Sequence, residues 1–446
     1  MSGKEMHICV LPHAAGYHQA SWRRPRTVGN DIWNWDLWRG IAQRAEAARL
    51  DAVFLADNVS LWPVPEEVRH RTAKVGGWDA FVMATAMATA TSQIGIVATG
   101  HTEFYAPYTI ARKVACIDHL SRGRAGWNVV TSAGPQDAKN YHDRGQPANH
   151  ERYARATEFV DVVKGLWDSW DDDAYEIDQA AGRFYDPAKL HELNHHGHFY
   201  DVAGPLNVMR PPQGYPVLAQ AGLSGPGRRF AGTIGELIFT PLNGSAGRAA
   251  AEEIRGFAAE AGRRRDDLRI LSQVLPITGR TDAEAEEKWE FLQNAMEMEI
   301  ARGQVGSMLS LDLSTLPLDQ PLPELGTTDR VQGGRDAAKA YIAKRAEVLG
   351  RPPTVRELIV SYRGSGVVVG SAKAVADYLE SEVDSGVCDG FVVLTHGLPE
   401  DFDDFISLAV PELQRRGRFR TEYRGSTLRG HLGLRRPVSR YASVRA

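Results

Sequence analysis

The sequence predicts an α/β protein built as a (β/α)8 TIM barrel with long insertions. Three observations carry this. Short apolar strands alternate with amphipathic helices, and the strands are apolar on both faces, as in a covered parallel sheet. Eight or nine such units over roughly 400 residues match a barrel with insertions. The first strand leads into "LPHAAGYH", which has no G-x-G-x-x-G, the turn expected of an open doubly wound sheet.

In chain order, "MHICVLP" (6–12) is the first strand, and Leu37, Ile41, Ala45 and Ala48 form a helical stripe after it. "DAVFLAD" (51–57) is an apolar run ending in an acid. "IGIVATG" (94–100) follows a helix and ends in small polar residues. "RAGWNVVTS" (124–132) is the fourth strand, followed by a helical face at 159, 162, 163, 166, 167 and 170. "PVLAQAG" (216–222), "ELIFTPL" (236–242), "LRILSQVLPITG" (268–279) and "GFVVLT" (390–395) complete the strands. Helices are expected over 281–302, 336–349 and 371–385, and a last one carries apolar residues at 402, 405, 406, 409, 410 and 413. The stretches 168–214 and 303–334 read as insertions of one domain spanning 1–446, with a C-terminal extension over 414–446. Loops this long tend to be lids or binding loops, so 168–204 and 303–334 are expected to select the substrate.

Composition excludes several classes. Of 446 residues, 43% are hydrophobic and 24% charged, ordinary for a soluble globular chain. Cys9, Cys116 and Cys388 are too sparse for a disulfide framework or zinc ribbon. A net charge of −4 offers no global field for nucleic acid. Ten arginines between Arg415 and Arg445 face one acid, Glu422, and read as a solvated tail or subunit contact. The N-terminus lacks the apolar core of a signal peptide. The uncharged run "WDAFVMATAMATATSQIGIVATG" is interrupted by Asp79 and reads as helix then strand rather than a membrane span. A cytoplasmic protein is expected. "HELNHHGH" (191–198) reads as loop histidines, and no metal site is expected.

In a barrel the strand C-termini build the active site. Here they offer Asp57, Thr99-Gly100-His101, Asn128 to Ser132, Gln220 to Ser224 and Thr240 to Asn243. Within "GRAGWNVVTS", Trp127 is expected to pack the barrel, while Asn128, Thr131 and Ser132 face a polar ligand or fix its loops. "GLSGPGRRF" (222–230) places Ser224 and backbone N–H groups at a helix start, with Arg228 and Arg229 in the first turn, which suits a phosphate. It is not a nucleophile elbow, because Pro226 occupies the second glycine position. A site with neither nucleophile nor metal borrows its reactivity from a cofactor. A phosphate-bearing flavin fits, and a sugar phosphate also fits these features.

Four ordered blocks extend the reading: "IDHLSRGRAGWNVVTSAGPQDAKNYH" (117–142), "RYARATEFVDVVKGLWDSWDDDA" (152–174), "HGHFYDVAGPLNVMRPPQGYPVLAQAGLSGPGRRFAG" (196–232) and "VPELQRRGRFRTEYRGSTLRGHLGL" (410–434). Together they resemble the luciferase-like flavin-dependent monooxygenases, in the branch of nitrilotriacetate monooxygenase, pristinamycin synthase and dibenzothiophene-sulfone monooxygenase. The resemblance implies a barrel of the bacterial-luciferase type that uses O2 and reduced FMN, through a flavin C4a-(hydro)peroxide, to oxygenate a small organic substrate. A separate NAD(P)H:flavin reductase would supply the FMN in reduced form. The flavin positions it implies are Asp57, Thr99, Tyr153 and Ser224; the polar strand end adds Asn128 as an expected flavin contact. A histidine position of the family falls on Asn149, with His150 next to it, so either could make that contact. The loop "GYHQASWRRP" (16–25) puts His18 and Trp22 near the active face. His18 and His101 are the candidate proton-transfer residues, since imidazole titrates nearest neutral pH. Two departures stand out: "GWDAF" (77–81) replaces a usual Glu-Pro, and "TGHTE" (99–103) sets His101 and Glu103 where small hydroxyls are usual. A homodimer or homotetramer is expected. The alternatives are a deazaflavin (coenzyme F420)-dependent oxidoreductase, a non-catalytic flavin-binding barrel, or a lyase, which would need a strand-end lysine.

Overall fold

The computed structural model describes residues 4–13, 15–25, 27, 32–62, 64, 66–73, 76–132, 135–141, 147–309, 311–322 and 332–442. Part of the 303–334 insertion and the last residues of the C-terminal extension lie outside them.

Eight parallel strands close into a barrel: β1 (His7–Leu11), β2 (Ala52–Leu55), β3 (Gly95–His101), β4 (Ala125–Val130), β5 (Val217–Gln220), β6 (Leu237–Thr240), β7 (Arg269–Gly279) and β8 (Gly390–Leu394). Each pairs with the next, and β8 returns to β1 with His7 opposite Gly390. The expected strands all form. β7 is longer than its neighbours, and beyond the barrel its Leu275–Gly279 end pairs with a short extra strand, Val367–Ser371.

Alternation along the strands divides the apolar residues. Ile8, Val10, Val53, Ile96, Ala98, Trp127 and Val393 face outward onto the helices. These include α1 (Trp35–Ala47), α2 (Ala80–Ala90), α3 (Pro107–Leu120) and α4 (Asn149–Trp167). They continue with α5 (Gly225–Ile234), α6 (Gly244–Glu260) and α7 (Ala372–Asp384). Trp127 is the wall-packing residue expected. It is fully buried, donates its indole N–H to the Gly100 carbonyl at 3.1 Å, and meets the Phe159 and Trp167 rings of α4. No helix among the described residues is long and apolar enough to cross a membrane.

Cys9, Leu11, Phe54, Val97, Leu237, Leu271 and Val392 form a second cluster, joined by Leu428, Leu432 and Leu434 from the C-terminal extension. Leu428 occupies the space that a Cβ on Gly95 would take. The extension is therefore a plug in the N-terminal end of the barrel; of the two readings expected, a solvated tail or a subunit contact, the solvated tail falls. Its arginines are held within the chain: Arg420 on Asp51, Arg429 on Glu236 at 2.7 Å, Arg418 on Asp384 at 2.6 Å and Arg436 on Asp172 at 2.6 Å.

Two other expectations change. The helix expected over 281–302 is two helices, Asp282–Asn294 and Met298–Leu309. No Gly or Pro marks the break. At the break a distant side chain, Arg23, donates to the Ala295 carbonyl at 2.5 Å. The 168–214 insertion, expected to be a lid or a binding loop, lies against the flank of the barrel. It carries two small hairpins and runs along α3 and α4, with Gln213 donating to Asp118 at 2.6 Å and Tyr200 N–H to Glu158 at 2.8 Å. Three of its four histidines meet carboxylates: His191 with Asp171, His195 with Glu158 and His196 with Asp201.

Candidate active site

The polar strand ends gather at the C-terminal mouth, around two adjoining cavities that share Trp62.

The first cavity encloses about 630 Å³ and is lined by Asp57, His101, Thr131, Tyr153, Gln220 and Gly222, among others. Parallel register sets Thr99 on β3 opposite Asn128 on β4, and the Asn128 amide donates to Thr99 Oγ1 at 2.9 Å. Asn128 Oδ1 is left with no hydrogen-bond partner among the described residues, as are Gln220 Oε1 and His101 Nε2. All three side chains are 5% exposed or less. Orphaned buried polar atoms are costly unless a ligand completes them.

His101 Nδ1 lies 2.5 Å from the Ser132 hydroxyl, and Ser132 holds a left-handed φ of 47° to bring it there. Burial pushes the His101 imidazole below its ordinary 6.5, against the pull of Asp137, so it is neutral at pH 7. Asp57, two residues past β2, accepts the backbone N–H groups of Asn58 and Ala80. Burial, reinforced by the charges of Asp79 and Asp137, raises its carboxyl to about 6 despite those bonds.

Tyr153, on α4, carries its hydroxyl to the turn between β5 and α5. A Cβ on Gly222 or on Gly227 would lie 2.7 Å from that hydroxyl, so both positions exclude a side chain. Ser224 caps α5, its Oγ accepting from Gly227 N–H at 3.2 Å. Arg228 and Arg229 are not available to this turn as expected. Arg228 binds the Leu223 carbonyl and Glu253, and Arg229 binds Glu260 over the Phe257 ring. Asn149 and His150 are exposed at the start of α4, and Asn149 Oδ1 accepts from Arg152 at 3.1 Å. Neither lines the first cavity.

The second cavity, about 780 Å³, includes His18, Gln273, Trp289, Met296, Met308 and His396 in its wall. The 16–25 loop sits on the end of β8, with Tyr17 N–H on the Thr395 carbonyl at 2.7 Å and His18 N–H on the His396 carbonyl at 3.2 Å. His18 Nδ1 accepts from Ala20 N–H at 3.1 Å, which places the proton of the neutral ring on Nε2. The His18 and His396 rings stand 5.9 Å apart, both against Trp289. Trp22 is 39% exposed and lines neither cavity.

His396, Gln273, Trp62 and Trp289 were missed by sequence reasoning. The signal for His396 was present, since it directly follows the strand residues "GFVVLT". Gln273 sits inside a strand and Trp289 on a later helix, where nothing local marks them. Both sequence departures have structural work. Asp79 caps α2, accepting from Val82 N–H at 2.8 Å, and Glu103 pairs with Arg155 at 3.2 Å.

The sequence profile described as luciferase-like monooxygenase matches residues 6–387. The chain is 39% identical to the N-acetyl-S-(2-succino)cysteine monooxygenase of Bacillus subtilis, covering 98% of this chain and 99% of that one. It is 37% identical to nitrilotriacetate monooxygenase component A of Aminobacter aminovorans, covering 99% of each. Among solved structures, a long-chain alkane monooxygenase superposes with a TM-score of 0.83 at 30% identity, covering 97% of this chain and 96% of that one.

Proposed function

Because the chain belongs to the luciferase-like monooxygenase family, we propose that it is the oxygenase of a two-component system that takes FMN, already reduced by a separate NAD(P)H:flavin reductase, and inserts one atom of O2 into a small organic substrate. The observation that carries this is the first cavity. Its wall carries two orphaned buried atoms, Gln220 Oε1 and His101 Nε2, which suit a planar polar ring, as does the orphaned Asn128 Oδ1 one residue before the lining residue Val129; its glycine-lined turn beneath Tyr153 suits a phosphate.

Bound reduced FMN supplies the electrons that activate O2. The chain's own residues do the rest. The Tyr153 hydroxyl, Ser224 and the backbone at 225–227 hold the phosphate. Asn128 and Gln220 present acceptors to ring N–H groups. Thr99 acts through Asn128, fixing its amide. Asp57, half-protonated near pH 6, holds or releases a proton beside the ring. His18 offers its Nε2–H from the second cavity, and His101, kept neutral, accepts or donates in the first. Trp62 and Trp289 exclude water from the site. The same reading makes the protein a cytoplasmic homo-oligomer.

The test is rapid mixing of the protein and chemically reduced FMN with O2. Binding of reduced FMN, and reoxidation kinetics distinct from those of free flavin, support the reading. Reoxidation identical to free flavin, with no binding, overturns it.

A further inference from the structure

The second cavity carries information about the substrate itself. Among its described lining residues there is no Lys, Arg, Asp or Glu. The arginines at its margin are engaged with other groups: Arg23 on the Ala295 carbonyl, Arg71 on Glu297 and Arg363 on Glu286 at 2.6 Å. His18 Nδ1 accepts the Ala20 N–H at 3.1 Å, which turns its Nε2–H to the cavity as a hydrogen-bond donor. A carboxylate entering this cavity would shed its hydration with no Lys or Arg among the described lining residues to replace it, and an unpaired buried charge is strongly disfavoured. The wall is instead built for an apolar body. Trp62 and Trp289 offer flat aromatic faces, and Met296, Met308 and Ile300 supply flexible or branched apolar surface that adapts to irregular shapes. Hydrogen bonding is limited to neutral groups such as Gln273, His18 and Ser307.

We propose that this monooxygenase selects an uncharged substrate with an aromatic or alkyl body and one hydrogen-bond acceptor, such as a sulfone, sulfoxide or carbonyl, and rejects di- and tricarboxylates. The proposal rests on the flavin reading for the reaction, but its binding selectivity is separable from it. It sets this chain apart from the two relatives whose names denote carboxylate substrates. Trp62, shared by both cavities, marks the seam where the oxidised atom of the substrate meets the ring.

The test uses a matched pair, diphenyl sulfone and its 4,4′-dicarboxylate. Binding is read by tryptophan fluorescence in the flavin-free protein, and by oxygenated product formed with FMN and a surrogate flavin reductase. The neutral sulfone is expected to bind at least about tenfold more tightly and to be the better substrate. Gln273→Arg is expected to narrow or reverse the gap by placing a cation in the wall. Equal or tighter binding of the dicarboxylate by the unaltered protein overturns the proposal, as does binding of neither probe. If the sulfone binds selectively but reduced FMN does not bind at all, the flavin reading falls while the cavity's selectivity stands.

Discussion

Asp57→Asn should stabilise the flavin-free protein while impairing the holoenzyme. Asp57 is raised from its ordinary 3.8 to about 6, first by burial and then by Asp79 and Asp137. A tenfold change in proton affinity is worth about 1.4 kcal/mol, so holding the side chain ionised costs the fold up to about 3 kcal/mol. The side chain is only partly buried, and solvent screening reduces this to about 1–2 kcal/mol. The sign follows from linkage. The folded state binds the Asp57 proton more readily than the unfolded chain, so this group's contribution is most favourable below pH 4. It weakens as pH rises from about 4 to 6, and its penalty is full above that. Asparagine keeps an acceptor for Asn58 and Ala80 N–H but carries no charge. Urea denaturation of the flavin-free variant should therefore exceed wild type by about 1–2 kcal/mol at pH 8 and match it at pH 4. FMN affinity or turnover should fall at least about tenfold. A variant no more stable than wild type at pH 8, or one with a gap independent of pH, would refute the assignment of an electrostatically strained carboxyl.

Tyr153→Phe should weaken FMN binding by about 1.5–3 kcal/mol, the worth of a hydrogen bond to a charged group, and leave riboflavin binding nearly unchanged; titration with both flavins separates phosphate contact from ring contact. His101→Gln should remove an acid-side loss of stability. Burial depresses the histidine below 6.5, so its contribution is present above that pH and lost as pH falls through the folded-state value, which denaturation at pH 5 and pH 8 will read. Arg420→Met should cost about 3–5 kcal/mol, because it leaves the fully buried Asp51 without its guanidinium. Burial alone would raise Asp51, but Arg420, His7 and the Ile8 N–H outweigh it and hold the carboxyl at about 2. The companion Asp51→Asn change should relieve much of the loss. Leu428→Ala should cost about 2–5 kcal/mol by hollowing the plug, as urea unfolding will show.

The barrel was legible because each strand is a short run apolar on both faces, and a parallel sheet under helices demands that pattern. The strand-end rule also brought Asp57, His101, Gln220 and Thr131 to one cavity, and the register of β3 against β4 joined Thr99 to Asn128. What escaped depends on partners far along the chain. Nothing near Ala295 announces Arg23, so one helix was expected where two form. Length suggested a lid or binding loop at 168–214, but Gln213 and Tyr200 secure that segment to Asp118 and Glu158 on the flank of the barrel. The C-terminal arginines looked solvated because their acids, from Glu5 to Glu412, are scattered through the sequence. The second cavity was hidden for the same reason, since its wall combines the 16–25 loop, β7, two later helices and His396.

The closure of the barrel also constrains how such a chain is made. β1 leaves the ribosome long before β8, one of its two neighbours, and the leucines that fill the space beneath them follow later still. At roughly 5–20 residues per second, that leaves β1 with one open edge for tens of seconds on each nascent chain. Pairings this distant in sequence are also the slow ones to form. The exposed edge is apolar and β-prone, so the yield of active enzyme should depend on chaperone capacity and elongation rate more than on the equilibrium stability of the finished barrel.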